Sequence, residues 1–124
     1  MWEAVELNDS EAIVKYLESY GNELQESELY DSNGNTMIHK AASLGNADAL
    51  MVLLERTGAK PDLPNGSLAT PLHSACKNNR IDAAKFLIGC GVDANAQDEH
   101  GQSPLLICCI HGHTDLARML LDAS

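Results

Sequence analysis

Thr70-Pro71-Leu72-His73-Ser74-Ala75-Cys76 is the stretch on which the fold turns, because it has two relatives in the chain. Thr36-Met37-Ile38-His39-Lys40-Ala41-Ala42 lies 34 residues earlier, and Ser103-Pro104-Leu105-Leu106-Ile107-Cys108-Cys109 lies 33 residues later. Nine positions after each opening Thr or Ser come Gly45, Asn79 and Gly112, and three positions further on come Asp48, Asp82 and Asp115. An apolar run follows each time: Ala49 to Leu54, Ala83 to Ile88 and Leu116 to Leu121. A fixed period of this length marks a stack of supersecondary units, each too small to bury its apolar face alone.

Local chemistry gives each unit its expected shape. A Thr or Ser hydroxyl caps free backbone N–H groups at a helix start, and Pro fits the first helical position. A short helix is therefore expected to begin after Thr36, Thr70 and Ser103. Gly45, Asn79 and Gly112 suit a left-handed stop. A second helix follows, with Asp48, Asp82 or Asp115 in its first turn, where the helix dipole favours an acid. It is expected to end near Gly58 and Gly91. Ala41/Ala42, Ala75/Cys76 and Cys108/Cys109 are small enough for close helix approach. The polar segments Asp31-Ser32-Asn33-Gly34-Asn35 and Asp98-Glu99-His100-Gly101-Gln102 read as turns or hairpin tips.

Composition bounds the function. The 124 residues fit one domain, with 44% hydrophobic residues and only five aromatics, so the core must be aliphatic and helical. The net charge is −10, and residues 1–31 carry net −8 of it, with Lys15 the one base there. That charge disfavours nucleic acid and anionic membranes as partners. An acidic, solvated end-cap is expected, and a basic partner is the sharper alternative. No apolar run approaches the roughly 20 residues of a membrane span. The first residues lack the basic and apolar regions of a signal peptide, so cytoplasm or nucleus is the expected location.

With these motifs, the chain resembles the ankyrin-repeat family, whose unit runs D-x-x-G-x-T-P-L-H-x-A-A, then Gly, then a Val/Leu-rich helix, then G-A-D-x-N. Gly91-Val92-Asp93-Ala94-Asn95-Ala96 is close to that linker. The resemblance implies an all-α solenoid of helix–turn–helix repeats with β-hairpin-like turns. Its expected units are a degenerate acidic one at 1–30, then 31–64, 65–97 and 98–124. Departures are a lengthened connection at 22–30, Pro64 to Ala69 in place of D-x-x-G-x (expected to enlarge one tip), and Leu106 where the family has His. Leu120 and Leu121 would sit on an open end without a polar cap, so a longer parent protein is expected.

Catalysis finds no support in the residues. Cys108-Cys109-Ile110-His111-Gly112-His113 lacks the spacing of a zinc site, and small-residue packing explains the two cysteines. Cys76 and Cys109 hold equivalent places in adjacent units, too far apart for the ~5.5 Å Cα separation of a disulfide. Reduced thiols are expected, with Cys90 the most reactive. His39 and His73 have no nucleophile or carboxylate at a catalytic spacing, and the family resemblance implies that they brace turns. Trp2 could serve an aromatic cage, but end-cap packing is the simpler expectation. No enzyme activity, metal or cofactor is expected.

The family resemblance also implies that partners are met by hairpin tips and by the exposed face of each first helix. By register, the tip positions are Ser32, Asn33, Asn35, Asn65, Ser67, Leu68, Ala69, Glu99, His100 and Gln102. The helix positions are Lys40, Ser43, Leu44, Ser74, Lys77, Asn78, Ile107, Ile110 and His111. Leu44, Leu68 and Ile110 stand out as apolar groups expected to anchor a partner on one concave face. A noncatalytic, monomeric module for a protein or peptide follows. The alternatives are a regulator of an enzyme such as a protein kinase, and the recognition segment of a larger enzyme, channel or adaptor.

Overall fold

The computed structural model describes residues 2–20, 31, 33–57 and 60–123, without the side chains of Trp2, Tyr20 and Thr57. Among them are eight helices in four antiparallel pairs: α1 (Trp2–Glu6) with α2 (Ser10–Tyr20), α3 (Met37–Leu44) with α4 (Ala47–Thr57), α5 (Pro71–Lys77) with α6 (Ile81–Gly89), and α7 (Pro104–Ile110) with α8 (Thr114–Ala123). The odd-numbered helices pack in one row and the even-numbered in another, so each pair lies on the next. The four helix pairs are the all-α solenoid expected from the period.

The helix starts fall where hydroxyl chemistry puts them. Thr36, Thr70 and Ser103 are extended N-caps whose side chains accept from backbone N–H groups of the first turn. Pro71 and Pro104 occupy the first helical positions, where their missing N–H costs nothing. After the first helices, Gly45, Asn79 and Gly112 take positive φ of 74°, 57° and 72°. Asn8, with φ 54°, does the same between α1 and α2. The degenerate first unit thus keeps the reversal despite its sequence.

Apolar side chains between the rows form one continuous core. Val5, Ile13, Leu50, Leu53, Leu72, Leu87, Leu116 and Leu120 are buried along its length. Ala41, Ala42, Ala75, Cys76, Ala83 and Ala84 are fully buried where adjacent helices meet. At ~25 cal/mol per Å² of apolar surface, such burial is the main stabilising term. Two expectations need correction. Cys109 is exposed, because among the described residues no helix lies over it as α5 and α7 lie over Ala42 and Cys76. Of the pair expected on an open end, Leu120 is buried in the core and only Leu121 is open, at 59% exposure.

The tip at residues 65–69 is not enlarged. Asn65 Oδ1 accepts from Ser67 N and Ala69 N, as Asp31 Oδ1 accepts from Asn33 N and Asn35 N, and Asp98 Oδ1 from His100 N and Gln102 N. Backbone closure also matches: Asn65 N donates to Ala69 O as Asp31 N does to Asn35 O. Asn65 therefore replaces the Asp, and Leu68 fills the place of Gly34 and Gly101. Those glycines have φ of 75° and 71°, and Leu68 is held at 61°. A branched side chain there costs ~1–2 kcal/mol. Leu68→Gly is expected to raise stability by about 1 kcal/mol, read as a higher urea midpoint at unchanged m-value; a lower midpoint would show that the Leu68 side chain supports the fold.

Candidate interaction groove

Three rows of hydrogen bonds run between units, two of them through the last three units and one along all four, and shape the surface between tips and first helices. Along the tips, Gly66 N donates to Asn33 O (3.0 Å) and Glu99 N to Ser67 O (2.9 Å). Asn65 Nδ2 adds a 2.7 Å bond to Asn35 Oδ1. In the middle, His39 Nε2 donates to Ala69 O (3.0 Å) and His73 Nε2 to Gln102 O (2.8 Å). Behind the first helices, Asn46 Nδ2 donates to Val5 O (2.7 Å) and Glu6 O (3.2 Å), Arg80 Nε to Ser43 O (3.1 Å), and His113 Nε2 to Lys77 O (3.1 Å). Asn46, Arg80 and His113 each follow the positive-φ residue of their unit. Each thereby satisfies a carbonyl at the open end of the preceding unit's first helix.

The two buried imidazoles are held in one tautomer. A carbonyl only accepts, so Nε2 carries the proton, and Nδ1 accepts from the N-cap backbone N–H: Thr36 N for His39 (3.1 Å) and Thr70 N for His73 (3.0 Å). Both histidines are thus structural, as expected. Burial pushes the His39 pKa below its ordinary value, outweighing the Ala69 carbonyl and the Asp31 charge, which favour the cation. Burial opposes the charged form of Asp31, but the hydrogen bonds from Asn35 and Asn33 together outweigh it and hold its pKa below the usual carboxylate range. Asp98 is held down in the same way by Gln102 and His100. The first and third tips therefore carry negative charge, and the middle one, with Asn65, carries none.

Between the tips and α3, α5 and α7 runs a groove of about 580 Å³. Thirteen of the positions expected to meet a partner line it: Asn35, Lys40, Ser43, Asn65, Ser67, Ala69, Ser74, Lys77, Asn78, Glu99, His100, Gln102 and Ile107. Some are already engaged. Asn78 Nδ2 donates to Ser43 Oγ (3.0 Å), and Lys40 Nζ lies 3.4 Å from Glu6 Oε1. Ile107 is only 8% exposed, so it forms part of the wall and presents little surface. Asp31, His39, His73 and Asp98 also line the groove, as framework outside the positions that the register marks for contact.

The three expected apolar anchors do not meet there. Leu44 is half-buried at the end of α3, Leu68 is 55% exposed on its tip, and Ile110 is 57% exposed at the end of α7. None lines the groove, and neither do Asn33 and His111. Ser32 lies outside the described residues, as does the Trp2 side chain considered for an aromatic cage. Ile110 is instead one helical turn from Leu106, itself 43% exposed. The row of Asn46, Arg80 and His113 went unread in the sequence, although their common place after Gly45, Asn79 and Gly112 was visible.

The thiols also differ from expectation. Cys76 meets Cys108 across the α5–α7 contact, one position away from its formal equivalent, and the two thiols are hydrogen-bonded. Burial pushes both pKa values up. All four cysteines are free, with Cys90 and Cys109 exposed. Among the described residues, no group of three or more His, Cys, Asp or Glu could hold a metal.

Comparison with known proteins agrees with this architecture. The family model for ankyrin repeats, in three copies, matches residues 1–98 and again 58–124. The Saccharomyces cerevisiae target of rapamycin complex 2 subunit AVO2 is 30% identical over 110 residues, covering 89% of this chain and 26% of that protein. Nuclear factor NF-kappa-B p105 subunit from Gallus gallus is 34% identical over 96 residues, 75% of this chain and 10% of that protein. The 26S proteasome non-ATPase regulatory subunit 10 of Dictyostelium discoideum is 34% identical over 71 residues, 56% of this chain and 31% of that protein. The chain thus spans a third or less of the length of each of these relatives.

The lowered His39 pKa fixes the sign of a pH effect. The unfolded chain binds a proton near the ordinary His value of about 6.5, whereas the folded chain binds it only at lower pH. The associated stability is complete above about pH 6.5 and is lost as pH falls from there through the folded pKa. Urea midpoints between pH 8 and pH 5 should fall accordingly, and less steeply in His39→Leu; parallel profiles would exclude His39 as the source. A disulfide-exchange reagent should label two thiols quickly, Cys90 and Cys109, and two only on unfolding. Four equally fast thiols would contradict the burial of Cys76 and Cys108.

Proposed function

Because the chain belongs to the ankyrin-repeat family, a fold of protein–protein interaction modules, we propose that it is a noncatalytic monomer that holds a protein or peptide in the groove between its tips and first helices. One observation carries this function. The residues that build the stack (Thr36, His39, Thr70, His73) turn their polar atoms inward onto one another and onto the next unit. Side chains at the intervening positions, such as Ser74, Lys77, Glu99 and His100, line the open groove. These four side chains take no part in the bonds between units, so they can vary without loss of fold.

The charge of −10 favours a protein partner over nucleic acid. No helix among the described residues is long and apolar enough to cross a membrane. A partner in the cytoplasm or nucleus fits four free cysteines, two of them exposed. A second function, the recognition part of a larger assembly or the regulator of an enzyme, is favoured by relatives named as a complex subunit and a proteasome regulatory subunit. In either case the same groove makes the contact.

Affinity capture from lysate of the source cells tests the groove. The double variant Ser74→Arg, Lys77→Glu changes two lining residues without touching the inter-unit bonds. It should reduce capture at least ~10-fold, with far-UV circular dichroism unchanged and stability within ~0.5 kcal/mol of wild type. Undiminished capture by a folded double variant would reject the groove as the binding surface.

A further inference from the structure

Among the described residues, Leu68 is the one position where backbone comfort is given up for an exposed apolar side chain. Its neighbours in register, Gly34 and Gly101, fill the same left-handed slot with glycine, whereas Leu68 sits there at φ 61° and remains 55% exposed. The side chain contributes little to the core and does not line the groove. An unfavourable conformation persists where the surroundings impose it, and it clusters at contact and switch sites. Here the tip is clamped: Gly66 N to Asn33 O and Glu99 N to Ser67 O tie it to both neighbours, and Ser67 N to Asn65 Oδ1 closes it on itself. Along the ridge of tips, Leu68 is a fixed apolar knob.

The charges carried by the three tips have one sign, and the lysines Lys40 and Lys77 lie on the groove side. Residues 31–35, 65–69 and 98–102 contain Asp31, Asp98 and Glu99 and no Lys or Arg. His100 is the one further titratable group on the ridge, with its Nε2 3.4 Å from Glu99 Oε1. A knob on a ridge fits a concavity, not an extended peptide, which the groove would hold instead. Building on the groove function above, we propose that Leu68 inserts into an apolar socket on a folded partner whose rim carries Lys and Arg, facing Asp31, Asp98 and Glu99. Ser67 and Glu99 lie on both ridge and groove, so the two surfaces are continuous. Buried apolar anchors inside a polar rim are the usual form of an energetic hot spot, and opposite charges at the rim raise association rates and are screened by salt.

Leu68→Gly tests this without the ambiguity of a misfolded variant, since relief of the left-handed strain should raise Tm by roughly 3–6 °C. Capture from lysate of the source cells should nevertheless fall at least ~10-fold. Raising NaCl from about 0.05 to 0.5 M should weaken wild-type capture, as screening shortens the range of the rim charges. A photo-crosslinking amino acid in place of Ser67 should join the captured protein at a surface rich in Lys and Arg, located by mass spectrometry. Full capture by Leu68→Gly, salt-independent capture, or a crosslink to a neutral or acidic surface would each overturn the socket. If Ser74→Arg, Lys77→Glu loses capture and Leu68→Gly does not, the groove stands and the knob falls. If neither variant loses capture, both fall.

Discussion

The bond from a buried imidazole Nε2–H to a carbonyl of the following tip governs how this stack is assembled. It joins two tasks in one ring: Nδ1 completes the N-cap of its own helix, and Nε2 grips the next unit. A buried polar group left unpaired costs ~1–3 kcal/mol, so the ring enforces both contacts together. Local helix geometry and stacking distance are therefore set by the same residue. The groove inherits its width from this arrangement, because Ala69 and Gln102, which receive the bonds, belong to its outer wall.

Such coupling explains why much of the architecture was legible from the sequence. Caps and reversals are local: Thr70-Pro71, Ser103-Pro104, Gly45 and Gly112 dictate their own conformations, and their 33- and 34-residue spacing repeats them. Even Asn8 kept its reversal where the rest of the first unit had diverged. Less legible was chemistry carried by a substitute. Asn65 performs the work of Asp31 and Asp98, and Leu68 that of Gly34, so the tip seemed by letters alone to be a longer loop. An amide oxygen accepts two backbone N–H bonds as a carboxylate oxygen does, and the tertiary clamp on both sides overrides the preference of leucine.

Where side chains lie on the surface was legible in part, and for a clear reason. Helical and hairpin register tells which positions face outward, so polar contacts from Asn35 to Gln102 fell on the groove. Register does not tell how far a side chain reaches or what covers it. Ile107 sits in the wall, whereas Leu44, Leu68 and Ile110 occupy three separate places. Likewise the Cys76–Cys108 contact depends on the offset between neighbouring helices, a quantity that no single unit encodes.

The row of arms behind the first helices bears on modularity. Asn46, Arg80 and His113 perform one task with three different lengths and chemistries. Arg80 follows a path so close to the preceding unit that a Cβ on Gly45 would come within 2.8 Å of its side chain. Each joint is fitted to a particular pair of neighbours. The units of this chain are consequently not interchangeable cassettes: duplication, deletion or exchange of one would present an arm of the wrong reach to the next, even where every helix kept its cap and every tip its turn. The order of the repeats is itself encoded, by residues that each unit uses only to recognise the one before it.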